Sequence, residues 1–271
     1  MIIDIHVHYF PCKIFKAVWK FFEVSSKGLW PIPYKVCEQE LIQSLQNKGV
    51  SRFAGLFYAH KKGLAAYLND FMYQAAQAHP QIIPFGTVYA GDDNIKATSR
   101  QIFEQYYFYG VKMHPFVSLE QMDDPRFFPL FEIMEGLGKV FLVHGGSAPV
   151  FTDKKGPDRL RNLLKNFPRL KVIVAHFGAY EYDQFLDIAR HNEHVYFDTA
   201  MIGIETHVFT SNFLNKEVYL EFQDRILFGS DYPNIPYPFE KQVEAIRSLD
   251  LPKEVEQKIF YQNAQQLLSI E

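Results

Sequence analysis

Eight times along 271 residues, a short run of β-branched and aromatic residues gives way to a longer stretch with helical spacing. The runs are MIIDIHV, RFAGLFY, IIPFGTVY, YGVKMH, KVFLVH, LKVIVAH, HVYFDTA and RILFGSD. Between them lie CEQELIQSLQNKG with a glycine stop, GLAAYLNDFMYQAAQAHP with a proline stop, and DRLRNLLKNFP, for which Asp158 is a candidate N-cap. Strands that alternate with helices build parallel sheets. Eight such units in a chain of this length predict an α/β fold, the (β/α)8 TIM barrel. The first run starts at residue 2 and the last helical pattern, LPKEVEQKIFYQNAQQLLSIE, reaches residue 271, so one domain over residues 1–271 is expected.

The first run is unusual, because Asp4, His6 and His8 alternate with Ile3, Ile5 and Val7. On a β-strand one face is then aliphatic and the other polar. In a barrel the aliphatic face packs against the outer helices and the polar face points inward. Two imidazoles two residues apart on one face have Cα atoms roughly 7 Å apart. They can converge on one ion at about 2 Å from each nitrogen. A His-x-His pair alone is more often two surface imidazoles, so the case rests on the other strands. GVKMHP ends the fourth run with Lys112 and His114, VHGG ends the fifth with His144, AHFG ends the sixth with His176, and GSDYP ends the eighth with Asp231. Singly, each histidine reads as a hydrogen-bonded loop residue and Asp231 as a helix cap. Together they fall on the C-terminal strand ends, the face where barrel enzymes build their sites.

With DIHVH, GVKMHP, VHGG, AHFG and GSDYP in this order, the sequence resembles the amidohydrolase superfamily, specifically the amidohydrolase-2 group that includes aminocarboxymuconate-semialdehyde decarboxylase-like enzymes. The resemblance spans nearly the whole chain. It implies a (β/α)8 barrel holding one divalent metal on His6, His8, His144 and Asp231, with His176 as an acid/base beside it. The superfamily often adds a small β-sandwich, for which this chain has no residues to spare. GVKMHP carries lysine where the similar TatD-type nucleases place glutamate, which argues against nuclease action. The chemistry agrees with the implied roles. Three imidazoles and a carboxylate leave room for water, and the ion lowers that water's pKa toward about 7. Asp231 can accept the proton, and His176 can polarise a carbonyl or protonate a leaving group. Zinc suits so nitrogen-rich a set, while manganese, iron or cobalt also fit.

Lys112 shares strand parity with His114, so both are expected to face the interior as substrate-binding or second-metal residues. A similar VKLYP context in dihydroorotase-like members carries a carboxylated lysine between two metals. One metal is the preferred reading here, with Lys112 as a cation for substrate or structure. His60, His207, Tyr58, Tyr89, Tyr232 and Asn234 are further pocket candidates on the same rim.

Residues 9–34 form a long connection out of the first strand, and Ile14, Phe15, Val18, Phe21 and Phe22 share a helical face there that would pack on the barrel or wall the pocket. The two cysteines, Cys12 and Cys37, are too few for a disulfide framework and read as free thiols. A net charge of −3 offers no basic excess for nucleic acid. No leader-like segment or membrane-length apolar run occurs, so the expectation is a cytoplasmic enzyme on a small-molecule substrate, with self-association left open. The leading function is hydrolysis of a small carboxylated ester, lactone or amide. The alternative is non-oxidative decarboxylation of an aromatic or unsaturated acid on the same ligands, and a non-catalytic metal-binding barrel ranks third.

Overall fold

The computed structural model describes residues 1–27, 30–148, 153–205 and 215–271. His207 lies outside them. The strands are β1 (Ile2–His8), β2 (Val50–Leu56), β3 (Ile82–Gly86), β4 (Gly110–Met113), β5 (Val140–Val143), β6 (Lys171–Val174), β7 (Val195–Asp198) and β8 (Ile226–Leu227). They form one eight-stranded sheet in chain order, β1 to β8, and helices alternate with them along the chain. The sheet also returns on itself: Val7 bridges Tyr232 in parallel, and Ile5 N–H donates to Phe228 O at 2.8 Å. This is the expected (β/α)8 barrel.

Two compact units divide the chain, Met1–Gly55 with Asp198–Glu271, and Leu56–Phe197. In the first, Ile3, Ile5 and Val7 are buried as the aliphatic face of β1 requires, and the polar face is buried too. The helix Cys12–Ser25 buries Phe15 and Trp19, whose rings stack at 5.0 Å. Ile14, Val18 and Phe22 flank them half-buried, but Phe21 is 62% exposed. Six residues beyond Phe15, Phe21 lies about 120° round the helix, so the expected face is narrower than the pattern implied.

Cys12 and Cys37 are not free thiols: they form a disulfide. Composition argues against a framework of bridges and is silent on a single one. Cys12 opens the helix and Cys37 lies just before the helix Gln39–Asn47, where Cys12 N–H also donates to Glu38 Oε1 at 3.2 Å, so the excursion folds back on its own start. Such bonds persist mainly in oxidising compartments, which removes one support of the cytoplasmic expectation.

The second unit follows the logic of parallel strands covered on both faces, which read as continuous apolar runs. Val111, Phe141 to Val143 and Val172 to Val174 are all buried, with Phe131 edge-on to Phe141 at 5.0 Å. Gly110 is required where β4 enters beside β5, since a Cβ there would sit 2.2 Å from Val140 O. The helix Gly156–Asn166 begins before Asp158, with Lys155 at its N-cap position. Pro157, favoured in a first helical turn, moves the start upstream and leaves Asp158 as a charge inside that turn, paired with Arg161 at 3.2 Å. Among the described residues no helix is long and apolar enough to cross a membrane.

Candidate metal centre

In the first unit the polar face of β1 meets the residues after β8. His8 Nε2 lies 2.7 Å from Asp231 Oδ1, and His6 Nε2 lies 3.3 Å from the same oxygen. All three residues are at most 7% exposed. Asp231 is not a helix cap. Its backbone sits in the left-handed region at φ 65°, its N–H donates to His6 O at 2.8 Å, and the following Tyr232 O accepts from His8 N–H at 2.8 Å. Continued pairing with β1 thus carries the carboxylate to the two imidazoles. Gly229 permits that approach, because a Cβ there would lie 3.0 Å from His6 Cβ and 3.1 Å from Asp198 Cβ.

Asp198, at the end of β7, adds what the motif reading missed. Its Oδ2 lies 2.8 Å from His6 Nδ1, and the residue is wholly buried. A carboxylate only accepts, so Nδ1 carries a hydrogen, and Nε2 is the ring nitrogen that faces Asp231. The sequence signal was available in HVYFDTA, an aspartate at a strand's C-terminal end.

Asp4 is no ligand. Its carboxyl takes Ser230 Oγ–H at 2.5 Å, Ser230 N–H at 3.1 Å and His6 N–H at 3.0 Å. Burial, together with the neighbouring Asp198 charge, outweighs those hydrogen bonds and pushes it up to about 8. Asp4 therefore ties β1 to the residue before Asp231. Two pocket candidates also serve structure. Tyr232 is wholly buried with its hydroxyl 2.7 Å from Ser44 Oγ, and Asn234 accepts Trp19 Nε1–H at 3.2 Å through its side chain and Trp30 Nε1–H at 2.9 Å through its carbonyl.

In the second unit, the ends of β4, β5 and β6 bring three histidines together. The His114 and His144 rings stack at 4.2 Å and 8°, and His144 meets His176 at 5.0 Å and 65°. Tyr58 and Phe116 stand edge-on to His114, at 5.1 and 6.5 Å. His144 Nε2 lies 3.0 Å from Ala148 O. A carbonyl only accepts, so Nε2 carries a hydrogen. After β6 the chain turns at His176 and Phe177, at φ 56° and 51°, before Gly178. Lys112 is wholly buried on β4, in register with Leu142, and its carbonyl accepts from Thr87 Oγ at 3.1 Å.

A family model for amidohydrolases matches residues 3–270. The chain belongs to the amidohydrolase family. It is accordingly a metal-dependent enzyme, and the donor set fits that description. One nitrogen each from His6 and His8 and one oxygen from Asp231 lie within 4.8 Å of one another on buried residues, two neutral donors and an anion suited to a divalent cation. This amidohydrolase is 28% identical over 129 residues to a dihydroorotase of Pseudomonas syringae pv. syringae (strain B728a), a match covering 44% of the chain and 37% of that protein. Two solved structures share the fold. One is an uncharacterized TIM-barrel protein from Bordetella bronchiseptica, with TM-score 0.75, 20% identity and coverage of 99% and 98% of the two chains. The other is 5-carboxyvanillate decarboxylase from Novosphingobium aromaticivorans, complexed with manganese and 4-hydroxy-3-methoxy-5-nitrobenzoic acid, with TM-score 0.71, 15% identity and coverage of 100% and 96%.

Proposed function

We propose that this amidohydrolase hydrolyses a small carboxylated ester, lactone or amide. The observation that carries the proposal is the convergence of His6 Nε2 and His8 Nε2 on one oxygen of Asp231. His6, His8 and Asp231 would hold one divalent ion, with His144 completing the set as the family resemblance implies, and residues 1–271 would act as one catalytic domain. Zinc is favoured by the nitrogen-rich donors, with manganese, iron or cobalt as substitutes. Bound there, the ion supplies a Lewis acid and an acidified water. With an ion held there, Asp231 would accept a proton, and His176 would polarise the substrate carbonyl or protonate the leaving group. A single metal is the preferred reading, on the resemblance to the amidohydrolase-2 group. Lys112 then serves as a cation for substrate or structure.

The decarboxylase reading is retained because a solved fold neighbour is a 5-carboxyvanillate decarboxylase. The two reactions differ in where the oxygen goes. Hydrolysis places a solvent oxygen in the product acid, whereas decarboxylation releases carbon dioxide and puts a solvent proton on carbon. A screen of lactones, esters, amides and carboxylated aromatics, with any hit repeated in ¹⁸O-water, separates them. One ¹⁸O in the product acid without carbon dioxide is expected. Carbon dioxide with no label in the product establishes the lyase instead.

A further inference from the structure

We propose that Glu181 is a positioning residue that sets the metal-binding form of His144. The inference rests on reading His144 as a ligand. Ser147, three residues after His144, donates its N–H to Glu181 Oε2 at 2.8 Å and its Oγ–H to Glu181 Oε1 at 2.7 Å. Ser147 is 1% exposed and Glu181 7%, so both bonds are shielded from water, where a charge-assisted hydrogen bond is at its strongest. The next residue, Ala148, gives its carbonyl to His144 Nε2–H at 3.0 Å. Its N–H donates to Ala179 O at 2.7 Å, and Glu181 N–H donates to Gly178 O at 2.8 Å.

These contacts root the carboxylate in the turn that carries His176 and aim it at the loop that carries His144. The two loops meet backbone to backbone at Gly146, where a Cβ would lie 2.1 Å from Ala179 O and 2.4 Å from Gly178 C. Glu181 thus fixes Ser147, the chain that follows places Ala148 O, and that oxygen holds a hydrogen on Nε2 and so sets the tautomer and orientation of the ring. Releasing Ser147 leaves Ala148 held through its N–H to Ala179 O alone, which loosens its carbonyl, and the ring then divides between tautomers and orientations of which only some ligate.

The test measures metal affinity without turnover, by competing Zn2+ between the protein and a chromogenic chelator, with thermal unfolding recorded for each variant. Glu181→Ala is expected to weaken binding about 10- to 100-fold. Glu181→Gln should restore most of it, because its carbonyl accepts from Ser147 N–H while its amide donates to Ser147 Oγ. Ser147→Ala removes one of the two bonds and should weaken binding severalfold, which keeps the test decisive if Glu181→Ala does not fold. His144→Ala should weaken binding at least as much as Glu181→Ala, and combining the two should add little. In the metal-free protein, ¹⁵N shifts of the His144 ring should report a hydrogen on Nε2 that is lost in Glu181→Ala. Unchanged affinity in Glu181→Ala or Ser147→Ala, with His144→Ala weakened, overturns the positioning role and leaves the ligand reading intact. Unchanged affinity in His144→Ala removes the ligand reading and the proposal with it.

Discussion

The Cys12–Cys37 bridge makes a quantitative prediction. It joins residues 25 apart in sequence, and closing a loop of that length in the unfolded chain removes conformational entropy equivalent to roughly 3.5 kcal/mol at 25 °C. With an unfolding entropy of about 2.1 cal/mol/K per residue over 271 residues, that corresponds to a fall in Tm of about 6 °C. The closed segment is also tied down without the bridge: Trp19 and Trp30 donate to Asn234, and Phe239 N–H donates to Tyr34 Oη at 3.1 Å. The double variant Cys12→Ser, Cys37→Ser should therefore fold and bind metal while unfolding earlier. The assay is thermal unfolding of wild type with and without a dithiol reductant, beside the double variant in both conditions. Wild type should drop to the variant's Tm when reduced, and the variant should not respond. Coincident curves for all four samples, or two titratable thiols in the unreduced wild type, would refute the bridge.

Three further substitutions probe the site and its surroundings. Asp231→Asn should keep the fold, since asparagine tolerates the left-handed φ of 65°, but lower turnover by about 10² or more on any substrate found by screening, because an amide cannot take a proton from water. Asp198→Asn should weaken Zn2+ binding about 10- to 100-fold by chelator competition, as an amide N–H can donate to His6 Nδ1 and move the ring hydrogen to Nε2. Glu120 is buried with Oε1 accepting from Ala90 N–H at 2.6 Å, and burial lifts its carboxyl from 4.5 to about 7. Between those pH values the folded chain holds a proton that the unfolded chain has released, so stability falls as pH rises through the window, by at most about 3 kcal/mol. Glu120→Gln should abolish that slope in denaturant titrations at pH 4.5 and 7.5.

The strands were legible because each carries a run of β-branched and aromatic residues between turn signals, and the two faces of β1 could be assigned by parity alone. His6, His8 and Asp231 emerged together because strand ends on one barrel face place them in one region. Asp198 was less visible. Its role depends on which ring nitrogen of His6 it meets, and strand parity does not encode that. Glu181 was hidden for a similar reason, because it acts through Ser147 and Ala148 in a loop whose path depends on the close approach at Gly146. The disulfide needed the return path of the segment between Cys12 and Cys37, and Asp158 lost its capping position because Pro157 lies inside the helix it was expected to precede.

The polar face of β1 is proposed as a metal site. It is tested most directly by elemental analysis of the purified protein beside His6→Ala with His8→Ala. Wild type should carry about one equivalent of zinc or another divalent ion per chain, and the double variant, which lacks two of the donors converging on Asp231, should lose it. Undiminished metal in a folded double variant would contradict it.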